Sequence, residues 1–329
     1  MPWRNLHRTL IDRRAVGGAW LAIAVALMSH IAQAGDAGGR RRILVCGGRT
    51  ALLTIAAADN DGRVEWSWPG ATREGWVLPD GNILLALAKG PQAAGGAAVE
   101  IRRGPAGGED TVVWRYDGTQ AEVNSIQKTP EGTYVLTEAG PHPRLLEVAA
   151  DGRVLVEFPL ACQKPNHHMQ SRMARKLPDG SYLVPHLLDF AIIRYDRTGQ
   201  ELARIDTRVA DEPAARTWPF TAIALADGGI LAGLTNGNHV AEYAADGSRR
   251  WLVTAADVDG AISDACGVQR LPNGNTMIAS YRIGRGKERL VEVTPDKKVA
   301  WCWRADVPSV HHFHVVEVDG EPVSWPPLR

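Results

Sequence analysis

One short turn signature recurs six times along the chain, and it restricts the fold more tightly than any other feature. It reads Leu78-Pro79-Asp80-Gly81, Pro130-Glu131-Gly132, Leu177-Pro178-Asp179-Gly180, Leu225-Ala226-Asp227-Gly228, Leu271-Pro272-Asn273-Gly274 and Val318-Asp319-Gly320. Successive glycines are separated by 51, 48, 48, 46 and 46 residues. Short apolar segments flank each signature, and glycine tolerates the positive φ of a tight hairpin turn. A second hairpin of the same character lies between these marks. It falls at residues 144–158 around Asp151-Gly152, at 239–251 around Asp246-Gly247, and at 289–303 around Asp296. Each unit therefore holds four short strands, A to D, with little helical periodicity.

Four-stranded repeats of about 47 residues predict an all-β fold, a six-bladed β-propeller of four-stranded antiparallel blades. Complete units begin near Trp76, Ser125, Met173, Thr221 and Gly267. The sixth is split, with strand A from residues 311–318 and strands B, C and D from residues 42–45, 52–57 and 64–68. A blade shared by N- and C-terminal strands closes the ring and leaves no sheet edge exposed. One propeller over residues 42–329 is expected, rather than two domains.

Residues 1–34 read as something else. Arg4, Arg8, Arg13 and Arg14 stand against the single acid Asp12, an apolar run covers residues 15–28, and Ala32-Gln33-Ala34 precedes Gly35. That order of charge, apolar run and small-residue cleavage site is expected of a secretory signal peptide, with residues 35–41 a short linker. An uncleaved membrane anchor is the alternative, and Arg13-Arg14 leaves the twin-arginine route open beside the general one. The expected location is periplasmic or secreted, with no membrane span after cleavage. Removing four basic residues and one acid from the balanced 37 and 37 leaves 33 against 36, a net charge of −3. Such a chain lacks the basic surplus of a nucleic-acid binder. Its four cysteines, Cys46, Cys162, Cys266 and Cys302, are too sparse for a disulfide scaffold and read as buried thiols.

Eleven tryptophans against four phenylalanines is an unusual ratio. Trp66, Trp68, Trp114, Trp251, Trp301 and Trp303 fall on or beside strand D, where large flat side chains fill the wedges between blades. Only Trp76 and Trp218 fall near the channel.

Histidines are the sharper signal. In a four-stranded antiparallel blade the D–A and B–C connections emerge on one face, around one mouth of the channel. The D–A side contributes Arg73, Asn124, His167, His168, Gln170, Arg172, Trp218, Asp264, His311, His312 and His314. The B–C side contributes Lys89, Glu138, His186, Asn236, Ser280, Tyr281 and Arg282. Eight of the ten histidines follow residue 34, and six of those eight belong to this set. His168 and His312 are three blades apart, hence on opposite sides of a six-bladed ring, with Asp264 and Arg282 in the blade beside His312. These four are the expected catalytic residues. His167, Gln170, Arg172, His186, Trp218, Asn236, Tyr281, His311 and His314 are the expected ligand-binding residues. Imidazoles move protons near neutral pH or bind a divalent metal, and arginine holds an anionic group bidentately. Histidines that merely cap channel-lining strands are the alternative.

The blade pattern of apolar strand, Leu-Pro-Asp/Asn-Gly, second strand and Asp-Gly-x-Val-x-Trp resembles the PQQ-like superfamily of propellers, in particular its six-bladed bacterial arylsulfotransferase-like branch. Ser280-Tyr281-Arg282 matches that branch's Ser-x-Arg at the end of strand B. Where its blades often carry His-x-Asn before strand A, this chain reads Asp264-Ala265-Cys266, with a partial echo in His168-Met169-Gln170. The resemblance implies a channel mouth at which histidines and an arginine bind sulfate and one histidine carries the sulfuryl group. Three readings follow, all with the cofactor open. The first is a small anionic or polyhydroxylated ligand bound, and transformed, at the mouth, with sulfuryl transfer as the sharpest version. The second is a metal-assisted lactonase or sugar dehydrogenase, with Asn124, Glu138, Asn236 and Asp264 as oxygen ligands for Ca²⁺. The third is a non-catalytic scaffold for a protein or polysaccharide partner.

Overall fold

The computed structural model describes residues 39–57, 62–91, 93–105, 108–162, 166–209, 216–284, 286–307, 309–324 and 326–327. The signal peptide expected at residues 1–34 lies outside them. Among the described residues no helix is long and apolar enough to cross a membrane.

The chain forms six antiparallel blades. Strands β1 (Arg41–Cys46), β2 (Thr50–Ala56) and β3 (Arg63–Pro69) begin the blade that closes the ring. Blade I follows as β4 (Thr72–Val77), β5 (Ile83–Leu87), β6 (Ala97–Arg102) and β7 (Thr111–Asp117). Blade II is β8 (Glu122–Lys128), β9 (Tyr134–Ala139), β10 (Arg144–Val148) and β11 (Val154–Pro159). Blade III is β12 (Arg175–Lys176), β13 (Tyr182–His186), β14 (Ala191–Tyr195) and β15 (Glu201–Asp206). Blade IV is β16 (Trp218–Ala224), β17 (Ile230–Thr235), β18 (His239–Tyr243) and β19 (Arg249–Thr254). Blade V is β20 (Ala265–Arg270), β21 (Thr276–Ser280), β22 (Glu288–Val293) and β23 (Val299–Arg304). Blade VI takes β24 (His312–Val318) as its strand A, paired to β1 with Cys46 opposite His312 and Arg41 opposite Val318. A two-residue strand, β25 (Glu321–Pro322), adds a fifth member that the repeat pattern does not predict.

The turn signature has a direct structural reading. Gly81 donates its N–H to the Leu78 carbonyl at 2.9 Å, and Leu78 N–H reaches Asn82 O at 2.8 Å. Proline suits the second position of such a turn and glycine the left-handed position that ends it. The six equivalent glycines have φ between +81° and +90°. In the outer hairpin of blade V that left-handed position is filled by Lys297, at φ +65°.

Apolar residues collect between blades rather than inside them. Six buried clusters each draw on two neighbours; one joins Trp76, Leu84 and Trp114 of blade I to Ile126, Tyr134 and Leu146 of blade II. The strand-D tryptophans belong here, as expected. Trp114 stacks on Tyr134 with centroids 3.6 Å apart, and Trp301 and Trp303 are buried at the seam of blades V and VI. Two polar devices repeat along these seams. At the inner edge, side chains of one strand A satisfy the otherwise unpaired backbone of another. Glu74 accepts from Ile126 N at 2.8 Å, Gln127 from Lys176 N at 2.7 Å, Gln269 from Val315 N at 2.9 Å, and His314 Nδ1 from Val77 N at 3.0 Å. Further out, one position of strand C carries Glu100, Glu147, Glu242 and Glu292 in blades I, II, IV and V. Each pairs with a base of the next blade: Lys128 at 2.7 Å, Lys176 at 2.9 Å, Arg270 at 2.5 Å and Arg41 at 2.9 Å.

Candidate functional site

The six inner strands all begin on one face, and β-bulges there turn side chains out of ordinary alternation. The ladder slips between Thr72 and Glu74, Val123 and Ser125, Pro219 and Thr221, and Ala265 and Val268. A bulge gives one residue no cross-strand partner and re-aims its side chain. The residues so released are Arg73, Asn124, Phe220 and, together with Gly267, Cys266, and Arg172 and His311 stand at the matching points of blades III and VI.

One side of this mouth is charged. Glu122, at the start of β8 and nearly fully buried, lies 3.6 Å from Arg73 Nη2 and 3.9 Å from Lys89 Nζ. His168 sits in a single 3₁₀ turn (His167–Met169) that precedes blade III, and its Nδ1 lies 3.1 Å from Glu122 Oε2. Half of the His168 side chain is accessible. Arg172, almost wholly buried, donates to the His168 and Ser171 carbonyls. Met173 follows it at φ +36°, a conformation costly for a residue with a long side chain. Burial alone would raise the Glu122 carboxyl. The hydrogen bond from His168 and the charges of Arg73 and Arg172 outweigh that and hold its pKa at about 2. Burial, with Arg73 beside it, brings the Arg172 guanidinium down to about 10, so it is still a cation at neutral pH.

Across from these groups the lining is apolar. A seventh buried cluster, separate from the six seams, unites Met173 and Leu187 of blade III with Phe220 and Cys266, and Met169, Trp218 and Tyr281 pack against it. Arg172 lies over the Phe220 ring at 5.7 Å. His311 joins the two sides, stacking on Tyr281 at 4.2 Å and on Phe220 at 6.3 Å. Burial, reinforced by the charges of Arg73, Arg172 and His168, lowers the His311 pKa to about 3, so this imidazole is neutral at ordinary pH. Several buried polar atoms around the mouth have no hydrogen-bond partner within the protein: both amide atoms of Asn124, Arg73 Nε, Ser171 Oγ, Trp218 Nε1, Thr221 Oγ1 and His311 Nδ1.

The residues expected from the sequence divide into three groups. His168, Arg172, Trp218, Tyr281 and His311 come together at the mouth, with His167 half-buried in the same 3₁₀ turn as His168. Asp264, Asn236 and Arg282 form a neighbouring rim group. Asp264 accepts from Thr235 Oγ1 at 2.6 Å and from Asn236 N, and Arg282 Nε lies 3.0 Å from its other oxygen. They line an open hollow of about 360 Å³ with Arg216, Asn238 and Ser263. The remaining residues are corrected by the structure. His312 does not face His168: it is fully buried in β24, its Nε2 3.6 Å from Glu74, which also pairs with Arg175 at 2.6 Å. Successive strand residues point to opposite faces, so a one-residue difference puts His311 at the mouth and His312 between blades. His314 is a seam clasp, edge-on to Trp76, and Gln170 bonds both the N–H and the C=O of Gly140 at 2.9 and 3.0 Å. His186 turns away from the mouth toward Cys162, Asp189 and Tyr195. The Ca²⁺ set is divided as well, since Glu138 is taken up by Tyr116, Thr119 and Arg144. Glu122 is the residue that sequence reasoning missed; a buried acid at the head of an inner strand carries no local mark of its role, since β8 holds further polar residues. A hollow of about 920 Å³ lies at the opposite face between the outer parts of blades VI and I, and includes none of these residues.

No protein-family model matches the chain, and no curated protein matches it. Its fold is that of known six-bladed β-propellers. A protein of unknown function from Bacteroides caccae is similar with a TM-score of 0.66 and 21% identity, over 83% of this chain and 98% of that one. A catalytically inactive virginiamycin B lyase from Staphylococcus aureus, solved with quinupristin, gives 0.54 and 12%, over 88% and 95%. The periplasmic gluconolactonase of Pseudomonas aeruginosa gives 0.54 and 14%, over 82% and 84%. At such identities the likeness concerns the fold, and chemistry must be argued from the site.

Proposed function

We propose that the chain binds a small anionic molecule with a flat or apolar body at the mouth of its channel and transforms it there. The observation that carries this reading is the Glu122–His168 pair, set beside Arg73 and Arg172 and facing Tyr281, Phe220 and Trp218. Two guanidinium groups suit a sulfate, carboxylate or phosphate, and the aromatic wall suits the body attached to it. A carboxylate that stays charged favours the proton on Nδ1, over the Arg172 Nη2 that lies 3.2 Å from the same nitrogen, and so leaves Nε2 to move a proton. His168 is the general acid–base of this reading, and Glu122 is its positioning residue.

The sharpest form is sulfuryl transfer, which the resemblance of Ser280-Tyr281-Arg282 to arylsulfotransferase-like propellers favours. In it the neutral His311 attacks the sulfur of an aryl sulfate, the sulfur–oxygen bond to the ring breaks, and His168, protonated on both nitrogens at the start, gives its Nε2 proton to the departing phenolate. A hydroxyl acceptor then takes the sulfuryl group from His311 and returns its proton to His168. Lactone hydrolysis is the second reading, favoured by the likeness to a periplasmic gluconolactonase. There His168 takes a proton from water as the water oxygen adds to the lactone carbonyl, the ring carbon–oxygen bond then breaks, His168 returns the proton to the departing ring oxygen, and the arginines hold the carboxylate product.

Purified protein assayed with aryl sulfates plus a phenol acceptor, and with a lactone panel, separates the two. Calorimetry with aryl sulfates and aryl carboxylates measures binding alone. Turnover of either class that disappears in His168→Ala supports the reading. Absence of both binding and turnover overturns it, and leaves recognition of a protein or polysaccharide partner.

A further inference from the structure

His186, drawn away from the mouth, ends β13 in a small polar nest of its own. Three potential metal ligands meet there: Cys162 Sγ, His186 Nδ1 and a carboxylate oxygen of Asp189, all within 4.8 Å of one another. Cys162 lies 3.6 Å and Asp189 Oδ2 3.4 Å from the same nitrogen, Nδ1. That detail decides between two chemistries. A nucleophilic Cys–His–Asp relay needs the thiol and the carboxylate on opposite nitrogens of the ring, so that one is deprotonated while the other orients. Here both crowd one nitrogen, and Nε2 is held instead by the Tyr195 hydroxyl at 3.0 Å. The relay is thereby excluded, and the convergence is that of ligands around a shared centre.

The spacing agrees with a particular ion. In a tetrahedron with zinc–nitrogen and zinc–oxygen bonds of about 2.1 Å and a zinc–sulfur bond of about 2.3 Å, the nitrogen–oxygen edge is about 3.4 Å and the sulfur–nitrogen edge about 3.6 Å. Both observed separations match. The donor set of thiolate, imidazole and carboxylate suits Zn²⁺ and is too soft for Ca²⁺ or Mg²⁺. Tyr195 supplies the outer partner that metal-bound imidazoles nearly always have on their second nitrogen. The histidine and the outer partner are fixed by the scaffold, since His186 and Tyr195 are both buried on adjacent strands of blade III.

We propose that Cys162, His186 and Asp189 form a zinc site on blade III, distinct from the channel mouth. Three protein ligands leave the fourth position of the ion to water. The site ties the segment leading out of blade II to the turn between β13 and β14, and binding releases the thiol proton.

Titration of the purified full chain with Co²⁺ and then Zn²⁺ tests it. One Co²⁺ per chain should bind with a thiolate-to-cobalt charge-transfer band, Zn²⁺ should displace it, and the band should vanish in Cys162→Ser. Asp189→Asn should weaken binding at least tenfold, and Tyr195→Phe about tenfold. Wild-type protein without the band overturns the proposal, as does a band that persists in folded Cys162→Ser. Should that variant fail to fold, unchanged affinity in Asp189→Asn overturns it equally. Mouth variants such as His168→Ala leave the titration untouched, so the two sites fail or stand separately.

Discussion

The outer seams and the inner mouth occupy the same six-fold frame and use it in opposite ways. At the seams one solution is copied: a strand-C glutamate meets a lysine or arginine of the next blade four times over. At the mouth the equivalent position, eight residues ahead of the turn glycine in blades I–V and nine in blade VI, holds Arg73, Asn124, Arg172, Phe220, Cys266 and His311. Copied positions meet a demand every blade shares, which is to bury its faces against neighbours. Positions that differ around the ring answer to something the ring surrounds. A repeat protein thus separates its stability from its chemistry by whether a position is repeated.

The strongest way to test that separation is at His168. If His168 is the proposed general acid–base, His168→Ala should lower turnover by about 100-fold or more and cost less stability than the seam variant below, because Arg73 still faces the Glu122 carboxylate that loses its imidazole partner. A comparable loss of stability would show that the mouth is only another seam. Glu122→Gln should reduce turnover less, and should shift the pH–rate profile, since the amide no longer favours one imidazole tautomer.

The mirror experiment breaks a seam. Arg41→Ala strands Glu292, whose side chain is 1% exposed, next to the strand that closes the ring. Removing one partner of a buried pair costs about 3 kcal/mol, read as a lower urea midpoint. Ligand affinity of the folded fraction should not change.

Acid should weaken the molecule through the mouth as well. His311 has its pKa lowered from 6.5 to about 3, so the unfolded chain takes up the proton first; the stability this represents is complete above 6.5 and is lost as pH falls toward 3. Glu122, lowered from 4.5 to about 2, contributes stability that is complete above 4.5 and lost as pH falls toward 2. The two groups act in the same direction in overlapping windows, His311 first as the pH falls. Urea midpoints measured between pH 7 and pH 5 should decline in wild type, and the decline should be shallower in His311→Phe. An unchanged slope would place His311 outside the buried cluster.

The smallest effect tests repetition itself. Lys297 fills a left-handed turn position that other blades give to glycine, so Lys297→Gly should stabilise by about 0.5–1 kcal/mol in chemical denaturation.

The ring was legible in the sequence because its turns are chemically explicit. Leu-Pro-Asp-Gly can close only a few kinds of hairpin, and its even spacing counts the blades. The mouth was legible as a face, since strand direction alone places the D–A and B–C connections together. It was not legible as a constellation. Bulges at Arg73, Asn124, Phe220 and Cys266 break the two-residue alternation on which any assignment of inward side chains depends. Blade VI has its own bulge, at Val316 inside β24, and there His312, expected to be catalytic, is buried between blades while His311 stands at the mouth as expected. His186 was misplaced for a different reason: its position in strand B is right, but Tyr195 and Cys162 pull the ring outward, and nothing in the local sequence reports a contact made across strands. Glu122 escaped notice because its partner, His168, belongs to the next blade.

The closing blade has a consequence for the order of events in making the protein. His311 immediately precedes β24, the last long strand, and β24 pairs with β1 from the far end of the ring. A ribosome that has delivered five blades has therefore made most of the seams but not the mouth, and the two ends meet only through a slow search over nearly the whole chain. His311 meets Tyr281 and Phe220 only when the circle shuts. Clipping the final strand would leave β1 without its partner and free it to pair with a β24 from another copy.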